Sequence, residues 1–393
     1  MSEHQSHQPL AGLRPSAIPG YEDWPEYVRG VVHGTGLHGA PSAAAQELTS
    51  ALGVPACPGI PVPVTDWEEE YDGVITSQLS WQLGFGPRTR AWYLRPIGVR
   101  EPLPGVLALH CHAGNKFVGA ERLVELPAEH ALAEESLMAL YDGRGLATEL
   151  AGSGFAVLAH DTFAWGSRRF DLATPPWRTE AALEARFAQW REAGVVPSEA
   201  DLYNAAAAAH EDTVAKAAGL LGTSFAGMVA HDDLAALEIL AGLPGVAADR
   251  LGCIGFSGGG GRSLTLAALS PRVRSYVVTC MMTTFDSLIP AYLDAHSWLL
   301  QTPGLRRLGD WPELAARSSA DSLLVQYALA DELFPEEGMR DAHAQLLALE
   351  MASHYRGSFW PGGHQFTASM QEEAIGFLQD TLHASASTPR TTP

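Results

Sequence analysis

Four cysteines in 393 residues, Cys57, Cys111, Cys253 and Cys280, are too few and too scattered for a disulfide framework or a zinc cluster. Cys253 and Cys280 lie in apolar, strand-like runs and read as buried free thiols. Positive charge is scarce too: 25 Lys and Arg stand against 45 Asp and Glu, a formal net charge of −20. Nucleic acids and anionic membrane surfaces are held by clustered basic side chains, so neither partner is expected. No segment reaches the roughly 18 apolar residues of a membrane helix, and Met1-Ser2-Glu3-His4-Gln5 is not a basic region ahead of an apolar stretch. The expectation is a cytoplasmic protein. Apolar residues are plentiful, at 46% of the chain, and the length allows a large buried core.

The two ends, 1–20 and 384–393, are polar and proline-punctuated and are expected to be loose, the second as a disordered tail. Residues 1–72 read as an N-terminal helical extension, with one or two helices over 21–50 built around Trp24, Tyr27, Val28 and Val31. From 73 onward the texture changes. Runs at 74–85 and 89–95, joined by Gly84-Phe85-Gly86-Pro87, predict an antiparallel hairpin. Further strands are predicted at 105–110, 154–159, 250–256, 274–280, 322–329 and 354–360, with helices or long connections between them. That rhythm predicts an α/β domain over 73–383: a mostly parallel sheet of roughly eight strands, an antiparallel start and helices on both faces.

One connection is out of proportion. About seventy residues separate the strand ending at Ala159 from the helix near Asp232, far beyond the usual loop length. This excursion, 162–228, carries Trp165, Trp177 and Trp190 and two predicted helices, 179–193 and the Ala-rich 198–221. It reads as a helical cap, with Phe163, Trp165 and Trp177 lining a substrate pocket; a buttress or homodimer contact is the alternative. A second candidate wall is 117–145, with Met138 and Tyr141.

The chemistry centres on Gly255-Phe256-Ser257-Gly258-Gly259, which follows an apolar run and leads into a helix-compatible segment. Gly-x-Ser-x-Gly between strand and helix is the form of a nucleophile elbow, where small residues two before and two after the serine keep a sharp turn free of clashes. The following helix N-terminus favours negative charge beside Ser257. A serine hydroxyl needs a base, and the base needs an acid on its far nitrogen. Beyond Ser257 the next strand ends supply Ala330-Asp331-Glu332 and then Gly362-Gly363-His364, in the order nucleophile, acid, base. Asp331 is the preferred acid with Glu332 its rival, and His364 is the base; His343 falls within a helix and His354 at a strand start. An oxyanion hole would take the N–H of Gly258 and that of His112 or Ala113, after the strand 105–110. His110 and His112 also raise a metal reading, but no third ligand pairs with them in an obvious motif, so no metal is expected.

At this point the chain resembles the α/β-hydrolase superfamily, in the branch of dienelactone hydrolases, acetyl xylan esterases and related carboxylesterases. The resemblance covers about 73–383. It rests on His110-Cys111-His112-Ala113-Gly114, Asp161 with Gly166 and Arg168-Arg169, His231-Asp232-Asp233, the elbow, Thr283-Thr284-Phe285, Asp331 and His364. It implies Ser257 as nucleophile, Asp331 as acid and His364 as base in a cofactor-free serine hydrolase acting on a small-molecule carboxylic ester. Two departures stand out: Cys111 replaces the glycine usual after the histidine, and 162–228 is longer than a minimal member carries. Acyl transfer, amide or C–C bond hydrolysis, and a non-catalytic binding role on the same scaffold are the alternatives.

Overall fold

Nine runs of extended backbone, β1 Val64–Tyr71, β2 Val74–Trp81, β3 Thr89–Pro96, β4 Leu103–Leu109, β5 Ala156–His160, β6 Val246–Phe256, β7 Val273–Thr279, β8 Ser322–Ala328 and β9 Tyr355–Trp360, form one sheet among the described residues. The structure is a computed structural model, and it describes residues 15–31, 42–127, 130, 139–289, 291–349 and 355–383. The tail 384–393, most of the N-terminal end, Met138 and His354 lie outside the described residues. Strand order is β1-β2-β3-β5-β4-β6-β7-β8-β9. The β1–β2, β2–β3 and β3–β5 pairs are antiparallel and every pairing from β5 through β4 to β9 is parallel, so the sheet is mixed.

β1, one strand more than the eight expected, corrects the helical reading of 1–72 over its last residues. β1 reads Val-Thr-Asp-Trp-Glu-Glu-Glu-Tyr and is exposed along nearly its whole length, so it lacks the apolar alternation that announces a half-buried strand. It is held by backbone pairing to β2 and by cross-strand bonds such as Trp67 Nε1 to Gln78 Oε1 at 2.7 Å. Its carboxylates suit a sheet edge, where charge discourages further pairing. Ahead of it come α1 Trp24–Gly30 and α2 Ala43–Leu52, the helices expected in that region.

The remaining helices are α3 Leu146–Gly152, α4 Trp177–Ala193, α5 Glu199–Leu220, α6 Phe225–Gly242, α7 Gly258–Leu269, the short α8 Phe285–Leu288, α9 Glu336–Ala348 and α10 Ala368–His383. They cover both faces of the sheet. On one, α6 and α7 bring Leu237, Leu240, Leu264 and Leu266 against Leu107, Cys253 and Val278; on the other, α3 and α10 bring Leu150, Phe377 and Leu378 against Val106, Ile254 and Val277. The two sets alternate along each strand, as the two-residue side-chain period requires.

The excursion 162–228 supplies α4 and α5. α5 sends Ala206, Ala207, Val214 and Ala218 into the main core, so it is built into the domain, whereas α4 buries only Thr179 and Leu183. No single helix among the described residues is long and apolar enough to cross a membrane.

Candidate active site

β6 runs in the middle of the sheet and ends at Phe256; Ser257 follows at φ 55° and ψ −126°, and α7 begins at Gly258. A left-handed φ on a residue with a side chain costs about 1–3 kcal/mol and persists only where its surroundings impose it. Here the Ser257 N–H donates to Thr279 O of β7 at 2.8 Å, and the Ser257 carbonyl accepts from Gly260 and Gly261. The neighbouring glycines are demanded by space. A Cβ on Gly255 would lie 2.2 Å from the Gly259 backbone, and one on Gly259 would lie 2.0 Å from Leu109 O. Gly259→Ala is expected to lower unfolding stability by about 3 kcal/mol, because strand β4 must move to admit the methyl group. Urea unfolding measures this, and a loss below about 0.5 kcal/mol would show that the turn has room.

The other two chemical groups arrive from the same end of the sheet. Asp331 follows β8 and His364 follows β9, and the two loops are joined by Ala330 N–H to Gly362 O at 3.0 Å. The His364 imidazole lies between them: Nε2 is 2.8 Å from Ser257 Oγ and Nδ1 is 2.6 Å from Asp331 Oδ2. Asp331 is buried, and its other oxygen accepts the Leu333 N–H at 2.9 Å. Glu332, the rival acid, is exposed. Phe256 and Phe334 flank the imidazole, with ring centroids at 4.7 and 6.4 Å.

β4 ends beside the elbow, and the loop after it brings His112 close to Gly258: the His112 nitrogen is 3.1 Å from where a Gly258 Cβ would sit. Of the two donors considered there, His112 is the one that faces Gly258. Cys111 is accommodated without left-handed backbone, which falls instead on Ala113 and Gly114. The Cys111 N–H donates to Tyr141 Oη at 3.2 Å. Arg122 closes the loop from behind by donating to Asn115 O at 2.7 Å and to Val118 O. His110 and His112 do not converge: His110 is buried with Nδ1 on Cys111 O, while His112 Nε2 turns to Glu211. Burial pushes the His110 imidazole well down, so it stays neutral. Among the described residues no group of three or more His, Cys, Asp or Glu side chains is disposed to hold a metal ion.

The remaining motif residues support this arrangement from below. Asp161 accepts the N–H groups of Ala120 and Ser167 at 2.8 and 2.7 Å, pinning two loops beyond the carboxyl end of β5. Asp233 takes Arg262 of α7 in a two-pronged pair at 3.0 and 2.7 Å and also bonds His160 Nε2 at 3.0 Å. Arg262 then reaches His110 O at 3.1 Å, which ties the nucleophile helix to the end of β4. Asp232 pairs with the buried Arg168, whose guanidinium also caps the carbonyls of Phe85 and Pro87. Breaking such a buried pair on one side leaves an uncompensated charge, so these residues fix the frame.

The aromatic residues expected in the pocket separate. Phe163 is wholly buried among Tyr21, Trp24, Phe170 and Phe225, so its ring is enclosed by core and has no open face to offer. Trp177 is half-exposed at the start of α4. Trp165 is buried behind the His112 loop, 5.1 Å from the His112 ring, and the Lys116 ammonium lies 4.8 Å over it. A cavity of about 820 Å³ opens between α4, α5 and the 166–175 segment, lined by Phe117, Arg169, Phe187 and Tyr203 among others, and includes none of Ser257, Asp331 or His364. Lys116 and Glu211, the ion pair beside His112, were not read from sequence. The available signal was compositional: Lys116 is one of two lysines in the sequence, and Glu211 interrupts an alanine-rich helix.

No protein-family model matches the chain. The chain is 26% identical over 319 residues, 80% of its length and 90% of the other, to a Bacillus subtilis protein named “Putative hydrolase YtaP”. Among solved structures, a glucuronoyl esterase from Solibacter usitatus superposes with a TM-score of 0.57 at 13% identity, covering 86% of this chain and 92% of that one. The chain shares this fold, an α/β fold with a mixed sheet and helices on both faces. A “putative acetyl xylan esterase” from Bacteroides fragilis shares it with a TM-score of 0.59 at 15% identity, covering 86% of this chain and 80% of that one. At these identities the structural likeness is one of fold. In open α/β sheets ligands meet the protein outside the carboxyl ends of the strands, and His112, Ser257, Asp331 and His364 follow the carboxyl ends of β4, β6, β8 and β9.

Proposed function

We propose that the protein is a serine hydrolase that cleaves a carboxylic ester of a small molecule through an acyl-enzyme. The observation that carries the reading is the pair of contacts at one imidazole, 2.8 Å to Ser257 Oγ and 2.6 Å to Asp331 Oδ2. Asp331 accepts a hydrogen bond from the His364 Nδ1–H, which keeps the ring proton on Nδ1 and leaves Nε2 unprotonated to receive the proton of Ser257 Oγ. The freed oxygen attacks the acyl carbon, and the carbonyl π pair moves onto its oxygen. The N–H groups of Gly258 and His112 donate to that oxyanion, helped by the positive end of α7. His364 passes the proton to the alkoxy oxygen, the C–O bond breaks and the alcohol leaves. Water then gives a proton to Nε2 and attacks the acyl-enzyme; collapse returns the proton to Ser257 and releases the acid. All steps draw on side chains and backbone of this chain. The names of the Bacillus relative and of the two esterases that share the fold agree with the reaction class.

The test is covalent. A fluorophosphonate probe should phosphonylate Ser257 with loss of fluoride, and peptide mass mapping should place the adduct on the Gly255–Gly259 peptide. Folded protein that stays unlabelled, or labelled elsewhere while Ser257 is free, overturns the reading. Labelled protein that turns over no simple ester would redirect it to acyl transfer from the same serine.

A further inference from the structure

The loop that carries His112 is bent against its own preference. Ala113 stands at φ 54° and Gly114 at φ 63°, so two left-handed residues in succession turn the chain away immediately after His112. A turn of this kind needs outside holds. One is local, because the Gly114 N–H donates to His112 Nδ1 at 3.0 Å. With Nδ1 accepting, the ring proton sits on Nε2, and Nε2 faces Glu211 Oε2 of α5 at 3.3 Å. The imidazole is thus a strut between its own loop and the inserted helix.

Glu211 gathers more than this one ring. Its Oε2 is ion-paired with the buried Lys116, whose ammonium also lies 4.8 Å over the rings of Trp165 and Phe225. Its Oε1 accepts the Trp298 N–H at 2.9 Å, and the adjacent Asp212 accepts the Trp298 indole N–H at 2.7 Å. Leu299, next in the chain, reaches over the elbow, with Cδ2 3.3 Å from where a Gly258 Cβ would sit. One carboxylate therefore joins the two walls that face Gly258: the His112 loop on one side and the Trp298–Leu299 segment on the other. Burial by itself would raise the Glu211 carboxyl, but the His112 hydrogen bond and the Lys116 charge outweigh it and hold the group below the ordinary carboxylate range.

We infer that Glu211 is a positioning residue for ester hydrolysis, holding the His112 N–H in register with the Gly258 N–H and fixing Leu299 against the same opening. The inference rests on the serine-hydrolase reading. It makes α5 part of the apparatus that stabilises the oxyanion, a role beyond that of a cover.

Removing Glu211 alone would leave the Lys116 ammonium buried and unpaired, so the test uses a neutral pair. In Glu211→Leu/Lys116→Met, kcat on 4-nitrophenyl acetate is expected to fall about 10- to 100-fold with KM within about threefold, since only transition-state contacts are disturbed. Glu211→Gln/Lys116→Met keeps one oxygen, for His112 Nε2–H at the expense of the Trp298 N–H, and should recover part of that loss. In the wild type, nitrogen-15 spectra should show His112 protonated on Nε2. A folded Leu/Met variant within about twofold of wild-type kcat, a Gln/Met variant as slow as the Leu/Met one, or a wild-type ring protonated on Nδ1 would each overturn the assignment. If Ser257 of the wild type takes no fluorophosphonate, the hydrolase reading fails and takes this inference with it. A labelled wild type with an indifferent Leu/Met variant sinks the Glu211 role alone.

Discussion

Ser257→Ala should abolish ester turnover to within a residual level, a loss on the order of 10⁴- to 10⁶-fold in kcat, while leaving the fold and thermal midpoint unchanged. The backbone reasons are local. The left-handed conformation at 257 is imposed by the N–H bond to Thr279 O and by the two helix-start bonds to the Ser257 carbonyl, and alanine keeps all three. Only Oγ is removed, with its bond to His364 Nε2. Gly258 and His112 still offer their N–H groups, so the variant should hydrolyse activated esters faster than bulk water does, and should take no fluorophosphonate. Circular dichroism and steady-state turnover on one activated ester measure both halves. Retention of more than about a tenth of wild-type activity in a folded variant would remove Ser257 from the mechanism.

The parts of the site that could be read from sequence are those whose requirements are local. Gly255 and Gly259 are needed because two backbones pass within contact distance, and that need is written at fixed offsets from the serine. Asp331 follows the mostly apolar β8 and His364 follows β9, which ends in Phe359 and Trp360, and a strand's carboxyl end can be located from its last such residue. The start of α7 was less legible. Four glycines open it, and glycine is a poor helix former. Packing overrides propensity there, since a Cβ at Gly260 would press on Thr279 O and Met281 at 3.1 Å. β1 was hidden for the opposite reason: an edge strand exposed along nearly its whole length carries no apolar alternation to detect.

The aromatic residues show where sequence reasoning stops. Phe163, Trp165 and Trp177 fall within fifteen residues of one another, and nothing in their spacing distinguishes a pocket wall from a core. The difference is made by partners far away in the chain. Phe163 is enclosed by Tyr21 and Phe225, and Trp165 is wedged between the His112 loop and Phe225, whereas Trp177, with the Arg178 guanidinium 5.4 Å from its ring, stays half-exposed. Glu211 was missed for the same cause. Its meaning depends on Lys116 and His112, about a hundred residues earlier.

The sharpest choice left by sequence, Asp331 or Glu332, also predicts the second large effect. Asp331→Asn should lower kcat by about 10³- to 10⁴-fold with little change in stability. Its carboxylate has two separate tasks: Oδ1 accepts the Leu333 N–H and Oδ2 accepts the His364 Nδ1–H. Asparagine has one acceptor and one donor. If its oxygen stays with Leu333, which keeps the loop folded, its NH₂ faces His364 Nδ1, and Nδ1 must then accept. The ring proton moves to Nε2, where it confronts the Ser257 hydroxyl and removes the base. The imidazolium that forms during attack also loses its counter-charge, so raising the pH should not restore the rate. Glu332→Gln, at an exposed position, should keep kcat within about twofold. Both variants are compared on one activated ester across pH 6–9. A near-normal Asp331→Asn enzyme beside a crippled Glu332→Gln enzyme would overturn the choice of acid, and recovery of Asp331→Asn at the alkaline end would overturn the tautomer argument.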